Sequence, residues 1–99
     1  MKKVYEIVRY KQKDDTKDQS VIKASNALQE VVASQDGLIS RKLSKSNEGE
    51  WIDVVLWESM DHAIQAAKVV NSHPVAGQFM ALIDDASLAF THYEVMEEY

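Results

Sequence analysis

Trp51-Ile52-Asp53-Val54-Val55-Leu56-Trp57-Glu58-Ser59 leads directly into an alanine-rich segment, Met60 to Asn71. A strand wetted on one face alternates apolar and polar side chains. This one carries Ile52, Val54 and Leu56 on one face and Val55 and Trp57 on the other, with Asp53 the only charge among them. Such a strand has to be covered on both sides. Ser59 is placed to cap the following helix, Asp61 adds a favourable negative charge to its first turn, and Ala63, Ala66, Ala67 and Val70 form a narrow inner stripe that allows close approach to a sheet.

Working outward toward the beginning of the chain, Leu38 to Lys45 reads as a second strand nearer an edge, joined to Trp51 by a hairpin turn at Ser46-Asn47-Glu48-Gly49. Before it, Thr16 with Gln19 three residues on has the form of a capping box, and the helix it opens extends to about Gln35. Val21, Ala24, Leu28 and Val31 mark that helix's buried stripe, and Gly37 suits the left-handed residue that ends it. Lys3 to Tyr10 is the first strand, with Val4, Val8 and Tyr10 on one side and Tyr5 and Ile7 on the other. Toward the end, Pro74 opens a further helical piece with Val75, Phe79, Met80 and Ile83. A last strand from Ser87 to about Met96 places Leu88, Phe90, His92, Glu94 and Met96 on one face and Ala89, Thr91, Tyr93 and Val95 on the other.

The order is strand, helix, strand, strand, helix with an extension, strand. It predicts one α+β domain over residues 1–99, a ferredoxin-like βαββαβ fold with a four-stranded antiparallel sheet. Two helices cover one side of such a sheet and leave apolar residues on the other, each worth about 25 cal/mol per Å² removed from water. Pairing two sheets across a two-fold axis would bury them with one self-complementary patch, so a homodimer is expected.

The net charge of −5 argues against a nucleic-acid surface, and Lys2-Lys3 with Lys11 and Lys13 are too thin a cluster to form one. The absence of cysteine removes disulfides, thiolate nucleophiles and zinc-thiolate sites. The opening residues do not have the apolar stretch of a signal peptide, and no apolar run reaches the roughly 20 residues of a membrane span. A cytoplasmic protein with no membrane partner is the expectation. Three glycines form no phosphate loop, and the three histidines have no metal-ligand spacing, so hydrolase, nucleotide and metal readings gain no support.

Gly37-Leu38-Ile39-Ser40-Arg41, then Trp51, Asp53 and Trp57-Glu58-Ser59, then Ala63 to Ala67, in that order and spacing over nearly the whole chain, resemble the antibiotic-biosynthesis-monooxygenase-like branch of the dimeric α+β barrel proteins. The resemblance implies a pocket between sheet and helices in each subunit. Its members' chemistry includes cofactor-independent oxygenation of phenols and quinols, heme degradation, and isomerisation or binding of small metabolites. The heme-degrading members carry an Asn on the first strand, a Trp in the second helix and a His after it. Here Ile7 and Val8, Ala66, and Phe79 or Met80 stand at those places, which makes heme cleavage a poor fit.

Several residues are candidates for chemistry. His92, mid-strand beside Phe90 and Glu94, is the candidate general base; the competing reading is a hydrogen-bonded structural histidine. Trp57 reads first as core and second as pocket lining. Arg41 is placed to hold an anionic or phenolate oxygen, or else is a surface residue pairing across to an acidic neighbour. Phe79 would position an aromatic ring, and Tyr93, like Tyr5 and Tyr10, reads first as a strand former and second as a hydrogen-bond donor to the substrate. His73 is placed near a pocket mouth and His62 reads as solvated. The resemblance then implies a cofactor-free monooxygenase acting on a small aromatic quinol or polyphenol. The alternative is a non-catalytic ligand-binding or stress-related dimer.

Overall fold

The computed structural model describes residues 1–99. It contains β1 (Val4–Tyr10), α1 (Asp18–Ala33), β2 (Leu38–Lys45), β3 (Trp51–Trp57), α2 (Met60–Ser72), α3 (Pro74–Met80), a single 3-10 turn at Asp85–Ser87, and β4 (Ala89–Glu94). The strands pair antiparallel in the order β2-β3-β1-β4. This is the ferredoxin-like α+β arrangement. β3 sits in the interior of the sheet, where its nearly all-apolar sequence belongs. The register aligns Glu6 with Val55 on one side and His92 on the other, and Val8 with Asp53 and Phe90. Directly opposed residues share a face, so Val4, Glu6, Val8 and Tyr10 meet the helices together with Trp51, Asp53, Val55, Trp57, Phe90 and His92.

Most of the local signals act as their chemistry requires. Ser59 Oγ accepts the His62 backbone N–H and caps α2, and Pro74 occupies the first turn of α3. Gly37 has φ +87°, the left-handed conformation expected after α1, and Gly49 closes the hairpin at φ +85°. The capping box at Thr16 does not form: α1 starts after Lys17 with no side-chain cap, and the Thr16 carbonyl instead accepts from Gln12 Nε2. Gln12 also accepts the Trp51 indole N–H at 2.6 Å and donates to Asp18, tying the loop before α1 to the sheet. Helix α1 ends at Ala33, two residues before Gln35. The last strand is shorter than its sequence pattern because the 3-10 turn takes Ser87. His62 is not simply solvated. It is half-buried, its Nδ1 2.7 Å from Ser59 Oγ, and its ring covers Gly37 so closely that a Cβ there would collide with it.

The core has two centres. Tyr10, Val21, Trp51, Phe79 and Ile83 pack at one end, and Val32, Val55, Trp57, Ala63 and Ala66 at the other, with Leu28 touching both. No helix is long and apolar enough to cross a membrane.

Candidate active site

Between those two centres the sheet and helices form a partly open cavity of about 360 Å³. Its floor is sheet, with Glu6, Val8 and Tyr10 from β1, Val55 and Trp57 from β3, and Phe90 from β4. Its roof is Ala66, Ala67 and Val70 of α2 with Phe79 and Met80 around α3. The alanine stripe read from the sequence is therefore what makes room: larger side chains at 66 and 67 would fill the space against Val55 and Trp57. The lining is mostly apolar, with few polar groups placed in it, as in sites for small organic ligands.

Arg41 and Asp53 occupy one wall as a buried ion pair. Arg41 Nε–H donates to Asp53 Oδ1 at 3.0 Å and an Nη2–H to Oδ2 at 2.7 Å, a bidentate geometry. The other guanidinium hydrogens go to Ser25 Oγ, the Ser25 carbonyl and Gln29 Oε1. All five Arg41 N–H groups are thus committed. Arg41 thus lines the cavity with its N–H groups engaged inside the protein, and its acidic partner lies in the core and not at the surface. The charge that interrupts β3, Asp53, is its partner.

Glu6 is the polar group the sequence reading passed over. Trp57 Nε1–H donates to its Oε1 at 2.9 Å, and its Oε2 receives no hydrogen bond from the protein. Burial raises the Glu6 carboxyl above the usual carboxylate range. The Trp57 hydrogen bond and the His92 and Arg41 charges partly offset this, and Asp53 adds to it. The signal was present in the sequence: in Val4-Tyr5-Glu6-Ile7-Val8, position 6 belongs to the same face as Val4, Val8 and Tyr10, where a carboxylate requires explanation.

The other candidates are distributed as follows. Trp57, 2% exposed, is both core and pocket lining. Phe79 lines the cavity and meets Tyr10 edge-on at 5.4 Å. His92 faces the helices beside Glu6 and lies edge-on to Phe90 at 5.0 Å, but it does not line the cavity, and its Nε2 is buried without a partner. Tyr93 is on the opposite face of the sheet, 56% exposed, and is not brought to the site. The alternation of β4 puts it with Ala89 and Thr91, so a tyrosine next to a candidate histidine in sequence is remote from the cavity it faces. His73 is exposed and spends its Nδ1 on the Val75 N–H at the start of α3. Tyr10 is fully buried, its hydroxyl without a partner, and burial pushes its ionisation far above the ordinary tyrosine value.

No family model matches the sequence, and no curated protein matches it. Solved structures do share the fold. A single-site variant of SnoaB, a cofactor-independent oxygenase from Streptomyces nogalater, superposes with a TM-score of 0.84 at 13% identity, covering 99% of this chain and 97% of that one. A Bordetella bronchiseptica protein, provisionally assigned as an antibiotic biosynthesis monooxygenase, gives 0.81 at 12% identity over 98% of this chain and 100% of that one. Rv0793 from Mycobacterium tuberculosis gives 0.75 at 19% identity over 97% of each. At these identities the likeness establishes a common fold along the full chain.

Proposed function

We propose that this chain is a cofactor-independent monooxygenase of the antibiotic-biosynthesis-monooxygenase-like kind, acting on a small electron-rich aromatic such as a quinol or polyphenol. The observation that carries the reading is the cavity itself: about 360 Å³ of mostly apolar space containing a carboxylate, Glu6, with one oxygen left free. An apolar pocket of that size suits a compact fused-ring compound and strips water from it. Trp57, Phe79 and Phe90 offer faces and edges to a ring. The full-length fold likeness to a cofactor-independent oxygenase supports the same reading.

The chemistry balances without a protein-bound redox group. An acidic substrate CH₂ or OH loses a proton, the resulting anion passes one electron to O₂, radical and superoxide combine to a peroxide anion, and a proton equivalent to the one released, returned through solvent, makes it a hydroperoxide. Loss of water from that hydroperoxide leaves a carbonyl, so a CH₂ becomes C=O, one oxygen atom enters the product and the other leaves as water. The substrate supplies all the reducing power. His92, beside Glu6, supports the charge changes of the first step.

The same reading places a second copy of the chain on the open face of the sheet. Tyr5 and Ile7 of β1, Ile52, Val54 and Leu56 of β3, and Tyr93 of β4 form a partly exposed apolar surface there. A continuous patch of that kind is uncommon on a monomer and can meet itself across a two-fold axis.

Oxygen uptake with a panel of hydroquinones, anthrone-like phenols and related aromatics, comparing the wild type with Trp57→Phe and His92→Ala, tests the function. Uptake above the buffer rate, reduced in either variant while the fold is retained, is the expected result. A wild type that binds panel members but consumes no oxygen would make it a ligand-binding protein instead.

A further inference from the structure

Resting on that reading, we propose that Glu6 is the base of this cavity: Trp57 pins one carboxylate oxygen, the other is presented to the ligand, and that free oxygen takes the proton from the substrate. The ionised carboxylate accepts the proton at Oε2, the O–H or C–H electron pair remains on the substrate, and Glu6 becomes the neutral acid until it is deprotonated again by solvent. Toward Glu6, Trp57 and His92 are positioning residues, Trp57 in addition to lining the cavity.

Three observations converge on this assignment. First, Glu6 is the one carboxylate lining the cavity that is not locked in an ion pair; Asp53 spends both oxygens on Arg41. Second, the Trp57 hydrogen bond at 2.9 Å fixes the carboxylate through Oε1 alone. Oε2 is not among the polar atoms sealed from solvent without a partner, whereas Tyr10 Oη and His92 Nε2 are. Of these three groups without a full set of partners, only Glu6 therefore has an atom a ligand can reach without rearrangement. Third, burial holds its proton affinity above that of an ordinary carboxylate, and a base moved toward neutrality is better matched to a weakly acidic phenol.

The charges facing Glu6 come from the sheet: His92 on β4, Asp53 on β3 and Arg41 on β2. The cavity side chains of α2 and α3, Ala66, Ala67, Val70 and Phe79 among them, carry none. The Trp57 hydrogen bond and the His92 charge both favour the ionised form, so removing either raises the Glu6 pKa. A Trp57 or His92 that merely filled space would leave that pKa unmoved.

Two measurements on the whole protein test the proposal. In the first, Glu6→Gln is compared with wild type for anaerobic binding of 1,4-naphthohydroquinone, followed by tryptophan fluorescence, and for oxygen uptake with the same compound. Retained binding with uptake reduced by roughly 100-fold or more is expected for loss of a positioned base. Uptake by Glu6→Gln at the wild-type rate overturns the assignment alone. A wild type that consumes no oxygen with this compound or the wider panel overturns the parent reading and the assignment with it. In the second, which needs no turnover, carboxyl-¹³C glutamate labelling follows Glu6 by NMR, identified by its loss in Glu6→Gln. Its titration is expected above that of the exposed glutamates and to move higher in Trp57→Phe and His92→Asn. Titration among the exposed glutamates, or no movement in either variant, overturns the arrangement around Glu6.

Discussion

Arg41 and Asp53 bring opposite charges into the core at side-chain exposures of 6% and 9%, where an unmatched charge is far more costly than a matched pair is stabilising. Arg41→Ala leaves Asp53 buried and unpaired and removes a donor from Ser25 and Gln29, so it should cost about 3–5 kcal/mol in urea unfolding. That is a large share of the roughly 5–15 kcal/mol that holds a domain together. The double replacement Arg41→Met with Asp53→Leu should recover most of the loss, because it removes both charges and keeps the volume. Glu6 gives a second prediction. Its carboxyl binds its proton more tightly folded than unfolded, so the folded state holds more protons across the window between the ordinary carboxyl pKa and the raised one. Stability from this group is therefore present below that window and lost as pH rises through it. Glu6→Gln should unfold with a flatter pH dependence on that limb and be more stable than wild type at neutral pH. An unchanged slope would remove Glu6 from the buried, shifted groups.

At the scale of elements, the junction between α1 and β2 is the most tightly constrained. Gly37 combines φ +87° with the His62 ring packed where a side chain would begin, so Gly37→Ala meets both a backbone and a steric penalty. About 1–2 kcal/mol is expected from the backbone alone, read as a lowered Tm, and His62→Ala should relieve only part of the steric penalty in the double variant, because the Cβ that alanine keeps also stands too close to a Cβ at position 37. The elements themselves were legible because their signals are local. The two-sided apolar pattern of Trp51 to Trp57, the Ser59 cap, Pro74 and Gly37 each act through neighbours within a turn. The capping box at Thr16 was misread because a distant group competes: Gln12 takes the Thr16 carbonyl while holding Trp51, a contact between positions 39 residues apart. The site was legible in the same uneven way. Trp57 and Phe79 sit on faces that periodicity assigns correctly. The commitment of Arg41 depends on Ser25 and Gln29 of another element, which spacing along β2 cannot reveal. Tyr93 was within reach of the alternation rule, which places it opposite His92.

For the whole molecule, the sheet divides the protein into a helix-covered side that contains the cavity and an open side carrying Ile7, Val54 and Leu56. If a second copy covers the open side, Val54→Lys and Leu56→Glu should yield monomers by sedimentation velocity at concentrations where the wild type sediments as a dimer. The cavity lies on the other side of the sheet, so the variants should keep their helical circular dichroism. Whether the cavity oxygenates its substrate without a cofactor is read from labelled oxygen. Metal-chelated protein, with no added cofactor, would be given a substrate it oxidises under ¹⁸O₂, and the product analysed by mass spectrometry. One ¹⁸O atom per product molecule, with the other recovered in water and no hydrogen peroxide, is the predicted result. An unlabelled product with stoichiometric peroxide, or label entering only when a metal or flavin is restored, would contradict a cofactor-independent monooxygenase.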